Sequence, residues 1–209
     1  MYSERYGSMK ELDSRMCSQL DFIMEIDKLK NIVRQSYISD GSRKETDTDH
    51  SWSLAMMCIL LSEYANEKID VLKTVKMVLI HDIVEIDAGD TYAYDTNGND
   101  TKRERELKAA ERIFNILPKE QGEKLRGLWD EFEERKTAEA KFANTLDKIQ
   151  PVMLNDITGG RAWREHNVRE EQIMGRNSTT HEGSEKLWEF CKKLIEENII
   201  MGNIEKSKK

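Results

Sequence analysis

Helix breakers are nearly absent from this chain, and that constrains its fold more than any other feature. Two prolines and eleven glycines punctuate 209 residues, and long stretches carry neither. In a helix interior proline costs about 3 kcal/mol and glycine about 1 kcal/mol relative to alanine. The apolar spacing agrees with helix: Met16, Leu20, Ile23, Met24 and Ile26 recur at helical intervals within residues 14–29. No segment sustains the strict alternation of a half-buried strand. The expected class is all-α, a helical bundle with no substantial sheet.

Local signals divide the bundle. Ile38 to Thr48 is polar, contains Asp40-Gly41-Ser42 and reads as a loop. Thr48 or Asp49 caps a helix over about 49–66, and Asp70 caps another that runs to about Ile86, before Ala88-Gly89-Asp90. Asn97-Gly98-Asn99-Asp100 reads as a turn. Further helices are expected over 102–117, over 119–135 behind Pro118, and over 138–157 behind Thr137, the last ended by Gly159-Gly160. A shorter helix near 163–174 and a last one over 180–200 follow, with Glu205 to Lys209 frayed. This length suits one core and is short for two, so residues 1–209 read as a single domain with its core over about 12–157 and C-terminal helices over 163–200.

The net charge of −7 argues against a nucleic-acid polymer as partner, because backbone phosphates need a basic surface. It leaves room for a small phosphorylated ligand, whose charge one local cation can meet. The longest apolar run, Leu54 to Leu61, is far too short to span a membrane, and the first residues carry no apolar signal region. Cys17, Cys58 and Cys191 form no Cys-x-x-Cys pair and read as buried free thiols. A soluble cytoplasmic protein is expected.

The chemistry concentrates at His81-Asp82-Ile83-Val84-Glu85, directly after an apolar stretch with Val71, Leu72, Val75, Val78 and Leu79 facing a core. Burying a histidine and two carboxylates without partners costs several kcal/mol, roughly 2–7 for a neutral polar group and more for a charge. A divalent cation compensates all of them together. On a continuous helix His81 and Glu85 share a face at i and i+4, and Asp82 is turned by about 100°. His50 opens a second apolar helix, and Asp147 borders the stripe Phe142, Leu146, Ile149 and Met153. Each alone reads as a cap, a packed ring or a salt-bridged flank. Together they run His…His-Asp…Asp, a donor set suited to a divalent ion with open positions. Pro151 removes the helical bond to the Asp147 carbonyl and permits a bend there.

That order resembles the HD-domain metal-dependent phosphohydrolases. The likeness extends through Arg34, Asp49-His50-Ser51, Ala88-Gly89-Asp90-Thr91, Ala138-Glu139-Ala140-Lys141-Phe142 and Leu146-Asp147-Lys148, over about Leu12 to Met153. It points to the branch of the 5′-deoxynucleotidases. The resemblance implies a helical bundle around one divalent transition metal (Co, Mn, Zn or similar), hydrolysis of nucleoside 5′-monophosphates, and frequent dimerisation. It places the metal on His50, His81, Asp82 and Asp147, the catalytic carboxylate on Glu85, the phosphate-binding arginine on Arg34 and the loop acid on Asp90. Gln35 stands where such enzymes often carry a Trp, so base and sugar preference do not carry over. Cleavage of a triphosphate or an alarmone, and a non-catalytic helical protein with a structural metal, stay as alternatives. His166 and His181 read as surface or packing residues, and Trp52, Trp129, Trp163 and Trp188 as core packing, with Trp163 also placed to line a pocket. Lys102 to Lys108 reads as a solvated helix face.

Overall fold

The structure is a computed structural model, and it describes residues 13–90, 92–94 and 101–207. The turn expected at Asn97–Asp100 and the residues before Asp13 lie outside that set. Its elements are α1 (Ser14–Ile26), β1 (Val33–Tyr37), β2 (Lys44–Thr46), α2 (Asp47–Leu61), α3 (Val71–Ile80), α4 (Glu85–Ala88), α5 (Lys102–Phe114), α6 (Lys119–Glu134), α7 (Ala138–Ile157), α8 (Arg161–Glu165), α9 (Glu170–Arg176) and α10 (Glu185–Ile200). The all-α class holds, with one small hairpin.

The loop expected over Ile38 to Thr48 holds as far as Arg43: residues 38–43 form the hairpin's turn, while 44–46 are strand and 47–48 open α2. The strands pair antiparallel, with Val33 opposite Thr46 and Tyr37 opposite Lys44 and an irregular register between. The irregularity explains the missing alternation: Ser36 and Tyr37 are both buried, although neighbours on a regular strand face opposite ways. Gly41 closes the turn at φ +69°, its amide bonding the Ile38 carbonyl at 2.8 Å. The hairpin brings Arg34 and Glu45 to the bundle's inner side.

Helix α2 starts two residues earlier than expected. Thr46 is its N-cap, and the side chain of Asp49 returns to the Thr46 amide at 2.9 Å, completing a capping box. Asp47 thereby enters the first turn and is fully buried. Asp70 and Thr137 cap α3 and α7 as expected.

The largest correction concerns α3, which stops at Ile80 instead of running to Ile86. The indole of Trp129 donates to the His81 carbonyl at 3.1 Å, taking the acceptor that the Glu85 amide would need in an α-helix. The chain tightens instead: the amides of Ile83, Glu85 and Ile86 bond carbonyls three residues back.

One core cluster packs α2, α3, α7 and α10 around Leu54, Met77, Phe142, Leu146 and Ile195, and a second joins α1, α4, α5 and α6 around Phe22, Ile83, Ile113 and Trp129. Several expected core residues face out: Trp52, Leu72, Leu79 and Met153 are exposed, while Thr74, Met77 and Val152 take the interior positions. Glu205 is not frayed, because its backbone bridges the carbonyl of Val168 and the amide of Glu170. Cys58 and Cys191 are buried and Cys17 half-buried, all free. No helix among the described residues is long and apolar enough to cross a membrane.

Candidate metal centre

Three helices bring the predicted ligands to one point. His50 lies in the first turn of α2, His81 caps the C-terminus of α3, and Asp147 lies midway along α7. The His50 and His81 rings stand 5.4 Å apart between centroids. His50 Nε2 is 3.1 Å from Asp147 Oδ1 and 3.9 Å from Asp82 Oδ2. His81 Nε2 is 3.0 Å from Asp82 Oδ2 and 3.7 Å from Asp147 Oδ1.

The hydrogen-bond network fixes both imidazoles. His81 Nδ1 faces the Val78 carbonyl at 2.8 Å, an acceptor only, so Nδ1 carries the proton. Gln150 donates its Nε2 to Glu45 Oε1 at 2.5 Å, which turns its Oε1 to His50 Nδ1 at 3.0 Å and makes that nitrogen the donor. Glu45 in turn accepts from the Ser36 hydroxyl at 2.8 Å. Both Nε2 atoms are thus left to face carboxylate oxygens, and His81 Nε2 is buried without a hydrogen-bond partner. Burial opposes charge on His81, yet Asp82 and Asp147 outweigh it and hold its pKa well above the ordinary value. Burial alone would raise Asp82 and Asp147 as well; the imidazoles, with Arg34 at Asp82, hold both well below the usual carboxylate range. A cation belongs between these atoms, and two imidazoles with two carboxylates fit a divalent one. The groups are placed for metal binding.

A second acidic group adjoins the first. Asp47, Asp82 and Glu85 carry ligand-type oxygens within 4.8 Å of one another. The three-residue turn produces this, because residues i and i+3 eclipse in such a turn. Glu85 therefore joins Asp82, not His81 as a continuous helix would have it. Burial, with Asp82 beside it, pushes Asp47 up to about 7 and raises Glu85 well above the ordinary value. Arg34 bridges the group, donating Nη1 to Asp82 at 2.8 Å and to Asp47 at 3.0 Å. Asp90 lies near Arg34 and Asp82, its pKa raised by burial.

Arg34, His81, Asp82, Glu85, Asp90 and Asp147 line a cavity of about 360 Å³. Its walls include residues that sequence reasoning set aside. Lys102, Arg103 and Glu106 line it although their stretch reads as a solvated face, and Glu106 is buried. Trp163 lines it while remaining buried. His166 is exposed and packs its ring 4.4 Å from that of Tyr92, and His181 is exposed. Sequence reasoning missed Glu45, Asp47, Gln150 and Arg176. Gln150 carried a signal, since it follows Asp147 by three residues on one helix face. Glu45 and Asp47 carried none, because the hairpin that aims them shows no alternation.

Comparison with known proteins gives this geometry a family. A family model described as HD domain matches residues 26–188. A Dictyostelium discoideum protein named 5′-deoxynucleotidase HDDC2 is 33% identical over 144 residues, covering 66% of this chain and 76% of its own length. The human protein of that name is 28% identical over 137 residues, 65% of this chain and 66% of its own length. A crystal structure from Magnetospirillum magnetotacticum, described as a predicted metal-dependent phosphohydrolase, is 43% identical with a TM-score of 0.87, covering 91% of this chain and 96% of that one. A conserved hypothetical protein from Pyrococcus furiosus shares the fold at 23% identity and a TM-score of 0.57, over 86% of this chain and 98% of its own. With the family model matched across most of its length and His50, His81, Asp82 and Asp147 gathered at one point, the chain belongs to the HD-domain family.

Proposed function

We propose that the chain is a metal-dependent phosphohydrolase, a 5′-nucleotidase that releases phosphate from (deoxy)nucleoside 5′-monophosphates. The observation that carries this reading is the convergence of His50, His81 and Asp147 ligand atoms within 4.8 Å of one another, with His81 and Asp147 lining a charged cavity. Relatives named 5′-deoxynucleotidase support the substrate class.

His50, His81, Asp82 and Asp147 would hold a divalent ion that supplies Lewis acidity toward a phosphate oxygen and a water. Glu85 binds protons tightly for a carboxylate, as a base taking the proton of the attacking water should. The water oxygen bonds to phosphorus as the bond to the 5′-oxygen breaks. Asp90, whose pKa burial also raises, delivers a proton to that leaving oxygen. Arg34 uses Nη1 for Asp47 and Asp82 and keeps these acids in place while its guanidinium lines the cavity, where it meets phosphate charge. The partner is a small nucleotide, with a second copy of the chain as the assembly expected of the family. We read residues 1–209 as one domain working in the cytoplasm, in keeping with three free thiols.

Phosphate release from dAMP, AMP, a nucleoside 3′-monophosphate, a triphosphate and a cyclic dinucleotide, across a series of divalent ions, tests this. The 5′-monophosphates should be cleaved fastest. Equal or faster cleavage of the other three overturns the reading.

A further inference from the structure

The cavity's charged side chains sort into two walls. On the first, every cation has a nearby acid: Arg34 with Asp82 and Asp47, Lys102 with Glu106 at 3.4 Å, and Arg103 with Glu133 at 3.1 Å. On the second stand Arg135, Lys148 and Arg176. Among the described residues neither Arg135 nor Lys148 makes an ion pair, and Arg176 only approaches Asp147 Oδ2 at 3.9 Å.

Lys148 is the telling member. Its residue is 6% exposed, and its ammonium donates to the neutral hydroxyl of Thr179. An ammonium has three N–H donors, and burying one without a carboxylate is costly. A structural lysine at the core would be paired or would extend to solvent. This one lines a cavity beside two arginines from different helical segments: Arg135 ends α6, and Arg176 ends α9. Asp147 orients the wall, because its Oδ1 faces the two imidazoles and its Oδ2 faces Arg176.

We propose that Arg135, Lys148 and Arg176 form an anion subsite that takes the tetrahedral oxyanion of a phosphomonoester and of the phosphate released from it. The subsite deepens the phosphohydrolase reading and rests on it for the substrate class. It sets these cations beyond Asp147, on a wall separate from Arg34.

Isothermal titration of the full, metal-loaded chain with inorganic phosphate tests the subsite without measuring turnover. Lys148→Met and Arg176→Met should each weaken phosphate binding about tenfold or more, the scale of one lost charge-assisted hydrogen bond. Lys148→Arg should keep binding within about threefold, since it keeps the charge. Thermal melts report whether each variant is folded. If Lys148→Met fails to fold, Arg176→Met together with the exposed Arg135→Met decides the matter. Wild-type protein that does not bind phosphate, or folded variants that bind it as wild type does, overturns the subsite. Nucleotide hydrolysis measured alongside separates the two claims. Variant-sensitive phosphate binding with no hydrolysis of 5′-monophosphates leaves the subsite standing and removes the activity; hydrolysis with variant-insensitive binding does the reverse.

Discussion

Gln150→Leu should loosen the metal site without touching a ligand. The amide links His50 Nδ1, at 3.0 Å, to Glu45 Oε1, at 2.5 Å. His50, Gln150 and Glu45 are all buried, at 0%, 4% and 1% exposure, so water cannot replace either bond. Leucine fills a similar volume and removes both polar atoms. Each orphaned group costs about 1–3 kcal/mol, and apolar burial of the new side chain offsets part of that, for a net loss of about 3 kcal/mol. For a chain of this size that is a drop of roughly 6–12 °C in Tm. The second consequence is specific. Without Gln150 as acceptor, His50 is free to place its proton on Nε2, where it bonds Asp147 and blocks ligation. Loss of such a supporting partner weakens metal binding about 10–100-fold. Melts in chelator give the stability term, and competition titration with cobalt gives the affinity. A folded Gln150→Leu protein with wild-type cobalt affinity would refute the claim that the Glu45–Gln150 pair sets the His50 tautomer.

Glu85→Ala should lower turnover of a 5′-monophosphate by about 10²-fold or more, the usual worth of a positioned base, while metal content by elemental analysis stays near wild type. Parallel loss of metal would make Glu85 a ligand. The pH dependence of stability should show Lys148. Burial, with Arg135 nearby, lowers its pKa from 10.5 to about 8, so between those values the unfolded chain binds more protons than the folded one and stability rises with pH. Denaturant melts should therefore show wild type gaining on Lys148→Met as pH climbs from about 8 to about 10.5; a constant difference across that window counts against the shift.

The long helices were legible because each depends on neighbours within one or two turns. The caps at Asp70 and Thr137 and the glycine pair after α7 are local signals, and they mark ends where the structure has them. The hairpin and the end of α3 were not legible. Residues 33–46 pair through an irregular register that hides the alternation, and α3 ends because an indole 48 residues away takes the His81 carbonyl. Apolar residues on one helix likewise do not declare which of them finds a partner: Trp52 and Leu72 read as core and face out, while Thr74 goes in.

For the site, the sequence alone determined the residue types and their order. His50, His81, Asp82 and Asp147 stand at the ends or along the buried stripes of helices, and polar groups in such places demand a shared partner. Only the tertiary structure decided what surrounds them. Glu45, Gln150 and Val78 choose the imidazole tautomers, Asp47 joins Asp82 and Glu85, and Lys148 faces a cavity with Arg135 and Arg176. Those relations span up to about a hundred residues, as between His50 and Gln150. Hydrophobic periodicity records which face of a helix is buried, and it carries no information about which other helix that face will meet.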